Sequence, residues 1–364
     1  MGFPSTGIEC QTVGDKANSK REEAQMNIKR IGIDIAKNVF QLHGVDADEK
    51  TVLIKKLSRI QFIPYILLNI SQDCIIAMES CGGSHHWARR LTKAGYTVKL
   101  IPAQYVKPYV KRNKNDANDA AAICEASSRP GMSFVPIKTV EQQDIQALHR
   151  IRSELVRQRT AKVNQIRGLA TEYGLVAPQQ IGSLRKSIPL WLEDGENELS
   201  DLFRGVLQQL SDQLNYLDEQ LGTFENKIKT LAKESKAAIR LQTLPGVGPL
   251  TATALIAAIG DGKQFKNGRY LAAWLGLTPR QHSSGGRDTL LGISKAGDSY
   301  LRTLLVHGAR SVISNAKNKS DRISQWVQKL AESRHHNVVT IALANKNARI
   351  AWALLTKEQM YQAG

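Results

Sequence analysis

Cysteine is scarce and acid is in deficit, and each shortage narrows what this 364-residue chain can be. The four cysteines, Cys10, Cys74, Cys81 and Cys124, form no CxxC pair and follow no signal-peptide pattern. Neither a disulfide framework nor a structural zinc site is therefore expected, and a reducing cytoplasm suits them. Long apolar runs are missing as well: a stretch such as LTATALIAAIG from Leu250 is too short to span a bilayer. The first 25 residues are polar and lack the apolar core of a secretory signal, so they read as a disordered extension ahead of the first patterned segment at Met26. Acids number 33 against 50 lysines and arginines, a formal net charge of +17. That field favours a polyanionic partner, with nucleic acid ahead of an anionic membrane surface.

What is present is organised in blocks, and the length suits two or three domains. From Lys29, IGIDIA, VFQLHGV and TVLIKKL read as a three-stranded meander, the last two parted by the turn-forming DADEK. CIIAMES reads as a fourth strand ending at Glu79. SHHWARRLTKAG follows as a helix with a serine cap and a glycine stop, and YTVKLIP as a fifth strand. Antiparallel strands followed by alternating helix and strand is the order of a ribonuclease H-like α/β fold, over residues 26–140, although other α/β sheets share that order. After residue 140 the strand signals stop. A basic helix is expected from Glu141 to about Tyr173, carrying Arg150, Arg157, Arg159 and Arg167. A second long helix from about Leu199 repeats Leu207, Leu210, Leu214, Leu217, Leu221, Phe224, Ile228 and Leu231 at alternating intervals of three and four. The pair, 141–236, is either an intrachain hairpin or a dimerisation stalk. A mostly helical block, 237–330, and a helical tail, 331–364, complete the chain.

Two constellations carry chemistry. The first is acidic. An aspartate inside an apolar strand, Asp34, is unfavourable unless it is paired or holds a metal. Glu79 ends a strand, and Asp116 and Asp119 lie three apart at a helix start, where they share a face. Taken singly, Glu79 is an ordinary strand-end acid, Asp116 an N-cap and Asp119 a first-turn acid favoured by the helix dipole. Taken together, carboxylates at these places suit hard divalent cations, Mg²⁺ or alternatively Mn²⁺, of the kind that serve phosphodiester chemistry.

The second constellation is a loop and a hairpin. LPGVGPLTA has the form of a helix-hairpin-helix, in which Gly246 and Gly248 let backbone N–H groups approach a phosphate; a plain tight turn is the other reading. Downstream, Ser283 and Ser284 precede two glycines among Arg280, Arg287, Lys295 and Arg302. A serine there suits nucleophilic attack on a DNA phosphate, whereas SSGG is also a common flexible loop.

These segments, GIDIAKNVFQLHG, AMESCGGSHHWARRL, KNDANDAAAI, LPGVGPLTA and GLTPRQHSSGGRDTLLGISKAGDSYLR, resemble the insertion-sequence one-ten family of transposases, eleven-eleven subgroup, from about Lys29 to Ile350. The resemblance implies a RuvC-like domain whose DEDD tetrad falls on Asp34, Glu79, Asp116 and Asp119, a coiled-coil linker, and a C-terminal domain whose catalytic serine falls on Ser284, with Ser283 as the fallback. It implies recombination of donor and target double-stranded DNA through a covalent phosphoserine intermediate. It further implies a homo-oligomer, dimer or tetramer, guided by a structured RNA encoded by the element. Arg280, Arg287, Lys295 and Arg302, and the arginines of the basic helix, are the candidate nucleic-acid contacts. Two other readings use the same residues: a RuvC-like metal-dependent nuclease or resolvase that forms no covalent intermediate, and a non-enzymatic DNA-binding protein.

Overall fold

A computed structural model describes residues 27–110, 115–284 and 287–362, which leaves the expected extension at 1–25 outside the described residues. The chain divides into two compact units, one up to Thr139 and one from Val140.

The first unit is built on a five-stranded sheet in the order β3-β2-β1-β4-β5. Strands β1 (Arg30–Ile35), β2 (Val39–Val45) and β3 (Thr51–Ser58) form the antiparallel meander. β4 (Ile75–Glu79) and β5 (Thr97–Ile101) join it parallel to β1. Alternation along β1 divides its side chains between two faces. Ile31 and Ile33 enter a core with Phe40, Phe62 and Trp87, whose rings meet edge to face at 4.7–5.3 Å. That core is completed by α1 (Phe62–Asn69), which the sequence reading did not anticipate, and by α2 (Ser84–Lys93). The cap of α2 is Gly83 rather than serine; Ser84 is the first helical residue and its hydroxyl donates to the carbonyl of Cys81 at 2.8 Å.

The opposite face of β1 presents Arg30, Gly32 and Asp34 and is covered by another helix. After a short helix α3 (Ala103–Val106) and a 3-10 turn comes α4 (Asp116–Ala126), which packs on β1 and β2. A β-carbon on Gly32 would lie 2.2 Å from the carbonyl oxygen of Ala120 and 2.4 Å from the amide nitrogen of Cys124. Only glycine on the strand, faced by small residues on the helix, lets the two backbones come this close.

The second unit is mostly helical. α5 (Val140–Thr171) and α7 (Asp201–Glu234) lie against each other, with α6 (Ile181–Glu193) beside them. Leu207, Leu210, Leu214, Leu221 and Ile228 of the heptad seam are buried, so the seam is used within the chain; Leu217, Phe224 and Leu231 are only half-buried. Ser200 caps α7 by accepting from the N–H of Phe203 at 3.2 Å. Helix α6 was not expected from the sequence. Its C-terminal carbonyls are gathered by Arg204, which donates to those of Trp191, Leu192 and Asp194 at 2.8–3.2 Å.

Further along come α8 (Lys236–Gln242), α9 (Pro249–Ile259), α10 (Gly268–Trp274), α11 (Ser299–Ser314), α12 (Arg322–Ala331) and α13 (His336–Thr356). The last of these is no peripheral tail. Val339, Leu343, Ala344, Ala348 and Ala351 are fully buried at the centre of the core, because alanines on one face let neighbouring helices approach from several sides. The loss of strand signal after residue 140 was also misleading, since β6 (Pro279–Ser284) and β7 (Arg287–Ile293) form an antiparallel hairpin. Its glycines and cations hide the alternation on which a strand reading depends.

A buried polar contact ties α5 to α9 and α11. The Thr253 hydroxyl donates to the carbonyl of Pro249 at 2.7 Å, so it accepts from Nε2 of His149 at 2.9 Å, and Nδ1 then accepts from the Tyr300 hydroxyl at 2.9 Å. The ring is neutral. Burial, and then the charge of Arg152, holds its pKa down at about 4.

Candidate active site

The carboxylates converge because of register. β1 and β4 run parallel with Gly32 opposite Ala77 and Ile33 opposite Met78, so one further step sets Asp34 beside Glu79 at the C-terminal ends of both strands. On α4 the residues that touch Gly32 are Ala120 and Cys124. Asp116 lies one turn before Ala120, and Asp119, directly before Ala120, is three residues on from Asp116 and so shares its side of the helix. The close contact at Gly32 thus sets the helix start over Asp34, and carboxylate oxygens of Asp34, Asp116 and Asp119 lie within 4.8 Å of one another.

Asn115 caps α4, accepting from the N–H of Ala117 at 3.1 Å. Asp116 is therefore not needed as the cap. Burial is the first cause that pushes the Asp34 carboxyl above its usual range, followed by the charges of Asp119 and Asp116. Glu79 is raised by burial, then by Asp34 and Asp119. Among the described residues none of the four forms a salt bridge. A set of oxygen donors that repel one another and lack a counter-charge fits a hard divalent cation, which would offset the repulsion. The cluster stands on strand ends of the sheet and the start of the helix packed on it, which fixes its spacing.

The expected nucleic-acid contacts fall into two groups. Several are already committed within the chain. Arg159 pairs with Asp218 at 3.5 Å, and Arg157 bonds Glu154 one turn away at 2.6 and 2.9 Å. Arg167 donates to the carbonyls of Pro178 and Gln180, and Arg302 to those of Leu275 and Ala296 at 3.0 and 2.8 Å. These last two guanidiniums fasten loops. Arg150, Arg280 and Lys295 are exposed and form no salt bridge among the described residues. Lys295 sits in left-handed backbone, φ 54°, its N–H donating to Gly276 at 3.2 Å.

The two glycines of LPGVGPLTA do different things. Gly246 has φ 86°, and a β-carbon there would meet the carbonyl oxygen of Gly308 on α11 at 2.8 Å, so its role is close packing against that helix. Gly248, directly before α9, has open space where a β-carbon would go, so it is the one open to an outside group. The serine segment closes the β6–β7 hairpin, with Ser283 opposite Asp288 and Ser284 opposite Arg287. Ser283 accepts from the Gln281 amide at 2.8 Å. Gly285, Gly286 and the side chains of Ser284 and Arg287 lie outside the described residues.

A carboxylate cluster at the ends of parallel strands, on a chain with a large cationic excess, belongs to an enzyme that acts on nucleic acid. Residues 31–174 match a DEDD-type family model described as Transposase, and residues 238–325 match one described as Transposase IS116/IS110/IS902 family. A transposase for insertion sequence element IS1111A from Coxiella burnetii is 47% identical over 345 residues, 95% of this chain and 94% of that protein. A transposase for insertion sequence element IS1328 from Yersinia enterocolitica is 43% identical over 335 residues, 92% and 99% of the two. The chain belongs to the IS116/IS110/IS902 family of transposases, enzymes that cleave and join DNA. Its DEDD-type domain points to use of a divalent metal. Among the described residues no helix is long and apolar enough to cross a membrane.

Proposed function

We propose that the chain recombines DNA through a covalent phosphoserine intermediate, with Asp34, Glu79, Asp116 and Asp119 as the metal-holding set and Ser284 as the nucleophile. The observation that carries the metal-holding part is the convergence of Asp34, Asp116 and Asp119 to within 4.8 Å from segments far apart in the chain. Mg²⁺, or Mn²⁺ in its place, would supply charge to offset that developing on the scissile phosphate. The four carboxylates would fix the position of that charge. The Ser284 hydroxyl would lose its proton and attack phosphorus, forming a phosphoserine ester as the 3′-oxygen leaves and takes up a proton. A 3′-hydroxyl of the exchanging strand would then attack the same phosphorus and return the serine. Arg280 and Arg287 are the candidate contacts to the non-bridging oxygens.

The order of antiparallel and parallel strands, with α4 laid across β1, supports a ribonuclease H-like, RuvC-like assignment for the first unit. The helix pair α8 and α9 with Gly248 open between them supports a helix-hairpin-helix that touches DNA backbone. The family resemblance supports an element-encoded guide RNA and a homo-oligomer in which one subunit's carboxylates work with another's serine. A protein that reads backbone while base pairing reads sequence divides the labour in a way that suits +17 of net charge.

The test is a denaturing gel of protein incubated with its element's RNA, Mg²⁺ and labelled donor and target DNA. A protein–DNA adduct present in wild type and Ser283→Ala but lost in Ser284→Ala is the expected result. Cleavage without any adduct, retained in both alanine variants and lost in Asp34→Ala, would make this a metal-dependent nuclease and reduce the hairpin to scaffold. Binding without any strand breakage would leave only a DNA-binding protein.

A further inference from the structure

The second unit holds a cleft of about 760 Å³ between α10, α12 and α13, lined by none of the candidate site residues considered above. It originates in the sequence KNARIAWALLTK. Lys346, Arg349 and Lys357 recur on α13 at intervals that keep them on one face, with the small Ala353 between them as floor. Arg269 enters from the start of α10, Trp326 from α12, and Trp352 from α13 itself. The walls are close because Gly268 has no side chain: a β-carbon there would lie 2.8 Å from the carbonyl oxygen of Arg349.

Among the described residues no acid lines this cleft. Elsewhere in the same unit arginines are paired with acids, Arg152 with Glu225, Arg159 and Arg185 with Asp218, and Arg240 with Glu358. The four cations of the cleft have no carboxylate within salt-bridge distance among the described residues. Lys346 rests instead over the ring of Trp326, its ammonium 4.2 Å from the centroid. Burial, then Arg322 and Arg349, makes it a weaker base than an ordinary lysine.

Four cations drawn together without a counter-ion are unfavourable until an anion arrives. From Lys346 to Lys357 the cations run about 16 Å along α13, which matches several successive phosphates better than one small anion. Two indoles in a cationic groove add a surface on which unpaired bases stack, whereas paired bases in a duplex keep their faces covered.

We propose that this cleft binds an unpaired stretch of nucleic-acid strand, with its phosphates on Arg269, Lys346, Arg349 and Lys357 and its bases against Trp326 and Trp352. The inference rests on the chain's acting on nucleic acid, and adds a site that holds single strand apart from the reacting duplex.

The experiment measures fluorescence anisotropy of labelled poly-dT, and of a blunt duplex of equal length, with the full chain in EDTA across a salt series. Arg269→Gln/Arg349→Gln is expected to weaken poly-dT binding by about tenfold or more and to make the log K against log salt slope shallower by about 1.4, roughly 0.7 per cation removed. Trp326→Leu should weaken it about tenfold without changing the slope. Lys357→Gln, at an exposed position, controls for misfolding and should make the slope shallower by about 0.7. Unchanged affinity and slope in the double variant, or wild-type protein that binds duplex but not poly-dT, would overturn the proposal. The adduct assay keeps the two ideas separate: Asp34→Asn should bind poly-dT like wild type, and cleft variants that behave as expected in a protein that forms no adduct would sink the phosphoserine reading alone.

Discussion

Among the described residues the two units each hold a group of like charges without its opposite, and the signs differ. In the first, Asp34, Asp116 and Asp119 crowd together with Glu79 on the neighbouring strand end, and burial, followed by the mutual repulsion of the carboxylates, raises the pKa of Asp34 and Glu79. In the second, Arg269, Lys346, Arg349 and Lys357 line a cleft with no acid among the described residues, and burial, then Arg322 and Arg349, push Lys346 the other way. Both clusters rest on one backbone contact that only glycine allows, Gly32 against α4 and Gly268 against α13. A rigid scaffold that concentrates one sign of charge is completed by what it binds, a small hard cation in the acidic case and a polyanion in the basic one. Elsewhere in the second unit, pairs such as Arg152 with Glu225 show what a charge does when its purpose is only to join helices.

The largest effect should follow from removing a charge at the acidic cluster. Asp34→Asn is expected to lower DNA strand cleavage by on the order of 10³-fold. In EDTA the same variant should melt no lower than wild type, because it removes repulsion as well as a ligand. A variant that kept its activity would break the proposed contrast between the units.

Next in size are the glycine contacts. Gly32→Ala should destabilise the first unit by about 3 kcal/mol and displace α4, since the added carbon must occupy the place of the Ala120 carbonyl. Gly308→Ala, whose β-carbon would lie 1.9 Å from the carbonyl oxygen of Gly246, should do the same to the second unit. Denaturant unfolding with a tryptophan probe in each unit, Trp87 in the first and Trp274 in the second, would separate the two. Loss of both signals together in either variant would contradict the division into independent units.

A smaller effect comes with pH. His149 is neutral and buried in the fold, with a pKa held at about 4 against 6.5 when exposed. The unfolded chain therefore binds the extra proton first, and stability is lost as pH falls through the window from about 6.5 to 4, then levels off. The loss should be on the order of 2–3 kcal/mol and confined to the second unit, read as the shift in urea midpoint between pH 7 and pH 4.5 and abolished in His149→Gln. The smallest effect is expected at Arg157. Its partner Glu154 is on the same exposed face, so Arg157→Ala should leave the melting temperature unchanged.

The sequence made the site more legible than the scaffold around it. Asp34 stood out because an acid in an apolar strand requires a reason, and DxxD because three residues make nearly one helical turn. The five strands of the first sheet announced themselves by alternation and β-branched content. Helix α1 did not, because FIPYILLN is apolar nearly all round and gives no periodic stripe. Helix α6 was obscured by Pro189 within it. The β6–β7 hairpin was obscured by its cations. The cationic cleft as a whole could not be read from the sequence, for its walls come from three helices whose packing depends on Gly268. A signal was nonetheless there: basic residues at helical intervals in KNARIAWALLTK, next to tryptophan and without a compensating acid.

Helix α13 also has a bearing on how the protein is made. It is the last helix of the described residues in chain order, yet its alanine face is the surface on which α8, α10 and α11 settle. Domains tend to form in the order of synthesis. The sheet of the first unit is finished early, whereas the second unit waits for its own centrepiece. A nascent chain interrupted before His336 would carry the carboxylates in place and the helical unit open. Competence would then depend on α13 being present, and chains that lack it should be inert toward DNA joining.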